Sequence, residues 1–180
     1  MHPTRRSLDP IDVPLSVDVV DRVLPVIERA LHGTGPAVLP LPTGPEAVRT
    51  ATVAALRPEV PAEDDDIALI VPTSGSTGEP KGVLLPRAAV LASSELTHRR
   101  LGGPGRWLLA LPATHIAGVM VLVRSMAAGA TPIALDLRHG FDPEAFAAAA
   151  QRLVSGDDPA YVSLVPRQLR ALVDAGGAGL

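Results

Sequence analysis

The stretch Pro72-Thr-Ser-Gly-Ser-Thr-Gly-Glu-Pro-Lys-Gly82 lies between two apolar runs, Ile67-Ala-Leu-Ile-Val71 and Val83-Leu-Leu85. It holds three glycines, four hydroxyl side chains and Lys81, the only lysine among the 16 basic residues of the chain. Glycine lets backbone N–H groups turn toward an anion, and hydroxyl groups add further donors. A lysine ammonium is a mobile point charge suited to phosphate. The stretch therefore predicts a strand–loop–strand unit that binds phosphate.

Two other interpretations of this loop are weaker. The P-loop of kinases and GTPases, G-x-x-x-x-G-K-[ST], requires glycine before its lysine and a hydroxyl after it, whereas this chain has Pro80 and Gly82 there. Pro80 also disfavours helix at Glu79, and the apolar run that follows is too short for the helix of a P-loop. A simple hairpin turn with a solvated lysine would not need so many hydroxyl side chains.

Composition limits the class of protein. A chain of 180 residues with 47% apolar residues is expected to form one domain with a sizeable core, built from Ala, Val, Leu and Ile because only four residues are aromatic. A net charge of −3 with both signs interspersed gives no indication of nucleic-acid binding, and the absence of cysteine excludes disulfides. No signal peptide and no run of ~18 apolar residues is present, so we predict a cytoplasmic protein without a membrane span.

The order of predicted elements indicates an α/β fold. Residues 1–16 contain three prolines without a clear period and are interpreted as an N-terminal arm, followed by one partial domain over 17–180. Besides the two apolar runs beside the loop, the pattern predicts helices over 17–31, 45–56, 87–100, 116–128, 142–154 and 166–173, an edge strand over 37–39, and strands over 107–111, 131–135 and 160–165.

Strands that are apolar on both faces and alternate with helices predict a mostly parallel sheet with helices on both faces. Ligands of such sheets bind at the carboxyl ends of the strands, where the loop at Thr73 and the turn Ala113-Thr-His115 are both expected to lie. The charge run Glu63-Asp-Asp-Asp66 could be a metal site, but a solvated turn before a buried strand explains it better.

The segment Thr73-Ser-Gly-Ser-Thr-Gly-Glu-Pro-Lys-Gly82 resembles the signature loop of the adenylate-forming enzymes, which include acyl-CoA synthetases, luciferases and adenylation domains. Leu111-Pro-Ala-Thr-His-Ile-Ala-Gly118 resembles the second conserved block of that family, in which a histidine or an aromatic residue lines the acyl pocket. His115-Ile-Ala-Gly118, Val121-Leu-Val-Arg-Ser125 and Val162-Ser-Leu-Val-Pro-Arg-Gln-Leu169 are most similar to the branch that activates O-succinylbenzoate for menaquinone synthesis. The resemblance runs from about residue 20 to the end.

The resemblance implies the N-terminal part of the large domain of an AMP-forming acid–CoA ligase. A carboxylate would attack the α-phosphate of ATP, giving an acyl-adenylate and pyrophosphate, and the thiol of CoA would then displace AMP. Such chemistry asks the protein mainly for positioning and charge neutralisation. Mg²⁺ would bridge the phosphates. The catalytic lysine on this interpretation is Lys81, and the residues expected to hold the phosphates are Thr73, Ser74, Gly75, Ser76, Thr77, Gly78 and Lys81.

Three further residues are candidates for binding the acid. His115 could be a core histidine bonded to a carbonyl, but its position after a strand and its matching block favour a wall of the acyl pocket. Arg124 could equally form a salt bridge within the fold or face a substrate carboxylate. Ser163 is a weaker pocket candidate. The remaining histidines show no spacing typical of metal ligands.

Other blocks of the family have no match in this sequence. We find no Tyr-Gly-x-Thr-Glu block, no aspartate in the ribose-binding context and no second lysine for the C-terminal domain. We therefore expect only the N-terminal part of a ligase, whose cut sheet edge would promote self-association into a homo-oligomer. These 180 residues alone are expected to form no acyl-CoA at a useful rate. ATP–pyrophosphate exchange with O-succinylbenzoate checks this, and clear turnover would contradict it.

Two alternative functions stay open. The chain could belong to a ligase of the same family for a fatty, aryl or amino acid, or it could be a nucleotide-binding module without catalysis. The coding DNA downstream of Leu180 separates these possibilities. An in-frame continuation that carries Tyr-Gly-x-Thr-Glu favours a ligase, and a stop codon favours the module.

Overall fold

The computed structural model of the chain describes residues 7–62, 64–74 and 80–177. Strands and helices alternate along most of this part of the chain, as the apolar pattern predicts. Their order is β1 (Leu8–Val13), α1 (Val19–Leu31), β2 (Ala37–Pro42), α2 (Glu46–Leu56), β3 (Ile67–Ser74), β4 (Pro80–Pro86), α3 (Arg87–Leu101), β5 (Arg106–Leu109), α4 (Ile116–Ala127), β6 (Ile133–Ala134), α5 (Pro143–Leu153), β7 (Ala160–Val162) and α6 (Pro166–Asp174).

The strands form two sheets. The first has the order β1-β2-β3-β4, in which β1, β2 and β3 are parallel and β4 returns antiparallel to β3. The second has the order β6-β5-β7 and is parallel throughout. The predicted α/β class with mostly parallel pairing is confirmed, although the pairing is divided between two sheets.

Helices cover both faces of these sheets. Strand β5 shows why, because successive side chains point to opposite faces. Trp107 and Leu109 pack into one core with α1 and α4, whereas Leu108 packs into another core with α5 and α6. The first of these cores also contains Val13, Val38 and Leu69 of the first sheet, so α1 and α4 lie between the two sheets. Each fully buried Val, Leu or Ile contributes roughly 1.5–3 kcal/mol to stability.

Two predictions about the N-terminal region are wrong. The predicted arm contains β1, a strand paired in parallel with β2 from Leu8↔Ala37 to Val13↔Pro42. Pro10 is tolerated because β1 is an edge strand and needs only one row of hydrogen bonds. The predicted edge strand over 37–39 is internal, and its contact with β3 is at Val38↔Leu69, ahead of its prolines.

The carboxyl ends of both sheets meet at one rim. Parallel pairing brings the ends of β1, β2 and β3 together, and the Thr43 hydroxyl donates to the Val13 carbonyl oxygen there, at 3.3 Å. The backbone N–H of Leu137, just after β6, donates to the carbonyl oxygen of Leu15, just after β1, at 2.7 Å. The hairpin loop after Thr73 and the turn before α4 therefore both leave from the rim, as predicted.

The charge run before β3 forms part of a turn. The Asp64 carboxylate accepts from the backbone N–H of Asp66 at 2.9 Å, and the Asp66 carboxylate pairs with Arg87 Nε at 2.9 Å. Arg87 begins α3, so this ion pair joins the start of β3 to the start of α3. Glu63 lies outside the described residues. Within the described ranges, no group of three or more potential metal ligands occurs and no helix is long and apolar enough to cross a membrane.

Candidate functional site

The residues expected to bind phosphate fall between β3 and β4, which pair as an antiparallel hairpin. This pairing confirms the predicted strand–loop–strand unit. Thr73 faces Lys81 across the pair, and the Thr73 hydroxyl donates to the Lys81 carbonyl oxygen at 3.2 Å. Both residues are exposed at the rim. Ser74 ends β3 opposite Pro80. The other predicted phosphate ligands, Gly75, Ser76, Thr77 and Gly78, lie outside the described residues.

Gly82 fits a close contact between the hairpin and α2. A Cβ atom at this position would lie 2.9 Å from Ile70 Cγ2 and 2.9 Å from Leu56 Cδ2, which is closer than real Cβ contacts. The small residue after Lys81 therefore allows the end of α2 to pack against β4. A P-loop would begin its helix at this point, but β4 continues to Pro86 and α3 begins only at Arg87.

His115 stands at the start of α4, on the same rim as the hairpin. It has an extended backbone, with φ −113° and ψ 152°, and its carbonyl oxygen accepts from the Val119 N–H at 3.0 Å. Its side chain is exposed, so the alternative of a core histidine is wrong. Its predicted place in an acyl pocket stays a prediction. The side chain stands beside the positive end of a helix dipole, which favours anionic groups.

The turn that carries His115 is tightly packed against α4. The His115 N–H donates to the Pro112 carbonyl oxygen at 3.2 Å. One turn into the helix, Gly118 approaches that same carbonyl so closely that an added Cβ would lie 2.3 Å from the oxygen. Gly118 therefore allows α4 to pack closely against the turn that carries His115.

Ser163 and Gln168 lie just beyond the neighbouring strand β7, Ser163 directly after it and Gln168 in the first turn of α6. Ser163 is half-buried and directly follows β7, whose Val162 is in register with Leu108. Gln168 was not singled out from the sequence. Its Nε2 donates to the Ala110 carbonyl oxygen at 2.7 Å, and its Oε1 accepts from the Val165 N–H at 3.1 Å. The feature of the sequence that could have identified this residue is a glutamine at the third position of α6, where a side chain can bond back to the cap residue.

Replacing Gln168 by methionine, which has a similar length, is expected to lower the free energy of unfolding by about 1–3 kcal/mol. The reason is that the buried Ala110 carbonyl would lose its partner. Urea unfolding of the chain measures the effect. Gln151→Met on the exposed face of α5 is the matched control and should change stability little. Equal stabilities of the two variants would contradict a role for Gln168 in joining the ends of β5 and β7.

Arg124 lies away from the rim. It is nine residues after His115 in α4, about 13 Å along the helix axis, and its Cζ lies 5.3 Å from the centre of the Trp107 ring. Neither a carboxylate nor another anion pairs with it among the described residues, and burial lowers the pKa of its guanidinium. Its surroundings favour a cation–π contact within the fold over contact with a substrate at the rim.

His98 is buried beside the same tryptophan. Its ring centre lies 6.3 Å from that of Trp107, and burial, with a smaller contribution from the charge of Arg124, lowers the pKa of the imidazole. The folded state therefore holds His98 neutral at a pH where the unfolded chain already binds a proton. By linkage, the stability that depends on neutral His98 is present above the unfolded pKa of about 6.5 and is lost as pH falls below it.

The free energy of unfolding should accordingly decrease between pH 7 and pH 5, and His98→Gln should reduce that decrease. Urea midpoints measured across this range test the expectation. His32→Gln is the control, because His32 is exposed after α1. A pH dependence that is identical in the unmodified chain and in the His98 variant would show that another group is responsible.

Known proteins include relatives of this chain. A 2-succinylbenzoate–CoA ligase of Mycobacterium tuberculosis strain CDC 1551, described as probable, is 48% identical over 153 residues, which cover 84% of this chain and 38% of that protein. The 2-succinylbenzoate–CoA ligase of Bacillus licheniformis is 36% identical over 126 residues, covering 63% of this chain and 26% of that protein. The chain thus spans well under half the length of these relatives.

Solved structures share the fold. O-succinylbenzoate coenzyme A synthetase of Bacillus subtilis, in complex with ATP and magnesium, aligns with a TM-score of 0.62 over 95% of this chain and 42% of that chain, at 21% identity. A malonyl-CoA ligase with methylmalonyl-CoA and AMP bound aligns with a TM-score of 0.65 at 17% identity, over 96% of this chain and 43% of that one.

The sequence pattern of the AMP-binding enzyme family matches residues 11–179. The chain therefore belongs to the AMP-binding enzyme family, of which it represents an N-terminal part.

Proposed function

We propose that the chain is the N-terminal, nucleotide- and acyl-binding part of an AMP-forming acid–CoA ligase whose acid is O-succinylbenzoate. The observation that carries this proposal is the 48% identity to the probable 2-succinylbenzoate–CoA ligase of Mycobacterium tuberculosis. A match that covers 84% of the chain necessarily includes both the β3–β4 hairpin and the His115 turn. The family, the fold and the rim on which these segments lie are consistent with this activity.

The hairpin supplies the phosphate contacts in this proposal. The acid's carboxylate oxygen forms a bond to the α-phosphorus of ATP, the bond to the bridging oxygen breaks, and pyrophosphate leaves. The negative charge that accumulates on pyrophosphate needs donors already in place. Lys81 is exposed at the rim and carries the required positive charge. Thr73 and Ser74 end β3 beside it, and Gly75, Ser76, Thr77 and Gly78 complete the proposed set.

ATP with Mg²⁺ is the proposed cofactor, and CoA is the proposed co-substrate. Mg²⁺ would neutralise phosphate charge when bound, and hydroxyl and ammonium groups at the hairpin suit a phosphate already partly neutralised by metal. In the second half-reaction the thiol sulfur of CoA forms a bond to the acyl carbon, the bond from that carbon to the phosphate oxygen of AMP breaks, and AMP and the thiol proton are released. His115, exposed at the first turn of α4, and Ser163, at the end of β7, are the proposed acid-binding residues.

Edge strands provide a route to self-association, which stays a proposal. Strand β4 is an edge of the first sheet and exposes Val83 by 45% and Leu84 by 54%. Exposed apolar edges favour pairing with another chain. We propose on this basis that the isolated chain forms homo-oligomers. From the interspersed charges and the apolar pattern of the sequence, we further propose that it has no nucleic-acid partner and a cytoplasmic location.

Acid-dependent ATP–pyrophosphate exchange by the full-length gene product tests the proposed function. O-succinylbenzoate should support exchange, and fatty, aryl and amino acids should support it far less. His115→Ala should raise KM for the acid more than KM for ATP if His115 contacts the acid. Exchange with a different acid would support an acid–CoA ligase but contradict O-succinylbenzoate as its substrate. ATP binding without exchange for any acid would favour a non-catalytic nucleotide-binding module.

A further inference from the structure

Four buried polar atoms between α3, α4 and β5 make no hydrogen bond to any described residue. They are Ser94 Oγ, His98 Nε2, Trp107 Nε1 and Arg124 Nε. The exposed fractions of Ser94, His98 and Trp107 are 1%, 8% and 2%. A buried polar group without a partner costs roughly 1–3 kcal/mol, and native proteins contain few of them. Several such groups in one place indicate a polar ligand that they share.

These groups belong to neighbouring side chains. Ser94 and His98 are four residues apart and so lie on one face of α3. The His98 ring centre lies 6.3 Å from that of Trp107 on β5, and Arg124 Cζ on α4 lies 5.3 Å from the Trp107 ring centre. These contacts place unpaired polar groups of α3 and α4 beside the Trp107 side chain, whose own indole N–H is also unpaired among the described residues.

The donors and acceptors of the four groups match a water molecule. Arg124 Nε and Trp107 Nε1 can only donate, whereas neutral His98 Nε2 and the Ser94 hydroxyl oxygen can accept. A water has two lone pairs and two protons, so one molecule can satisfy all four atoms. A metal cation is excluded because two of the groups present N–H donors and one of them carries positive charge.

We propose that one ordered internal water binds between α3, α4 and β5. It accepts hydrogen bonds from Arg124 and Trp107, and it donates to His98 and Ser94. Buried waters typically make about three such bonds and are costly to remove. This water joins three elements that enclose one side of the core. One of them, α4, carries His115 at its first turn.

Trp107 offers a direct spectroscopic probe, because it is the only tryptophan in the chain and its indole N–H gives a single NMR signal. A bound water within hydrogen-bond distance should give this proton a cross-peak at the water frequency. In the rotating frame the peak should have the sign of a dipolar contact, opposite to that of chemical exchange. Absence of the cross-peak in the unmodified chain would overturn the proposal.

Two hydroxyl groups could mimic that water, because their protons exchange rapidly with solvent. One is Ser94, and the other is Tyr161, whose ring centre lies 5.1 Å from that of Trp107. The cross-peak should persist in both Ser94→Ala and Tyr161→Phe, since three partners of the water remain in the first and all four in the second. Loss of the peak in either variant would overturn the proposal.

A chloride titration distinguishes an anion from a water. If the site held an anion, the indole signal would shift and saturate with sodium chloride but not with sodium gluconate, and the proposal would be overturned. We expect no saturable shift. The reason is that neutral His98 Nε2 contributes an acceptor to the site, which an anion cannot use.

Adjacent serines provide a test by stability. Ser94 is buried and Ser93 is exposed on the same helix. If Ser94 shares a water, Ser94→Ala should raise the unfolding equilibrium constant about fivefold relative to Ser93→Ala, because a net hydrogen bond contributes about 1 kcal/mol. If the Ser94 hydroxyl is dry and unsatisfied, its removal should lower that constant, and this result would overturn the proposal.

Discussion

Replacing Gly118 by alanine should destabilise the chain by about 3 kcal/mol. A Cβ atom at this position would lie 2.3 Å from the Pro112 carbonyl oxygen, 2.6 Å from its carbon and 2.9 Å from Ala113 Cα. All three are backbone atoms, so relief requires a shift of α4 or of the turn that carries His115. Overpacking of a closed core typically costs 1–3 kcal/mol, and contact with backbone belongs at the upper end.

Helix propensity predicts the opposite sign for this substitution. Alanine is favoured over glycine inside a helix by about 1 kcal/mol. The experiment therefore separates packing from propensity by direction alone. Gly44→Ala is the matched control, since nothing lies within 4 Å of its added Cβ and its effect should be small. Urea unfolding that shows Gly118→Ala to be as stable as the unmodified chain would contradict the close packing at Pro112.

Replacing Lys81 by alanine should weaken binding of MgATP by roughly 10- to 100-fold. The estimate follows from the 1.5–3 kcal/mol that a hydrogen bond to a charged group contributes. Lys81 is the only lysine of the chain and lies exposed at the rim, paired through the hairpin with Thr73. Its removal should leave the fold intact, because the side chain contributes nothing to a described core cluster.

The controls for Lys81 separate local from general charge effects. Arg100→Ala removes an exposed positive charge from the last turn of α3 and should leave the affinity for MgATP nearly unchanged. Lys81→Arg keeps the charge and changes its shape, so it should recover part of the affinity. If both alanine variants weaken binding equally, the effect is long-range electrostatics and the hairpin has no special role.

The sequence predicted the hairpin and the later βα units because each depends on neighbouring residues. Apolar runs of strand length flank the loop, and the pattern after Trp107 alternates between strand and helix. The division into two sheets could not be predicted, since it depends on which strands pair across a distance. Strand β1 was missed for the same reason: its prolines disguise a strand that parallel pairing with β2 stabilises.

Some residues of the candidate site could be identified from the sequence and others could not, for a related physical reason. Lys81 and His115 lie in dense local motifs that the sequence displays directly. The third-position glutamine of α6 indicates the local bond of Gln168 to Val165, but its 2.7 Å bond to Ala110 spans 58 residues and no local pattern reveals that partner. Arg124 looked like a candidate partner for a carboxylate, and only the packing of α4 against β5 shows that it faces Trp107. Motifs identify chemistry, whereas the tertiary contacts decide which side chains reach the rim.

The proposal that the β3–β4 hairpin holds the phosphates of ATP has a direct measurement. MgATP is titrated into the isotope-labelled chain while the backbone amide signals of Thr73, Lys81 and Gly82 are followed, with Gln151 on the exposed face of α5 as an internal reference. If the hairpin holds the phosphates, the three hairpin amides should show saturable shifts, Gln151 should show none, and the hairpin shifts should be lost in Lys81→Ala. Saturable binding that leaves the hairpin amides unmoved would contradict it.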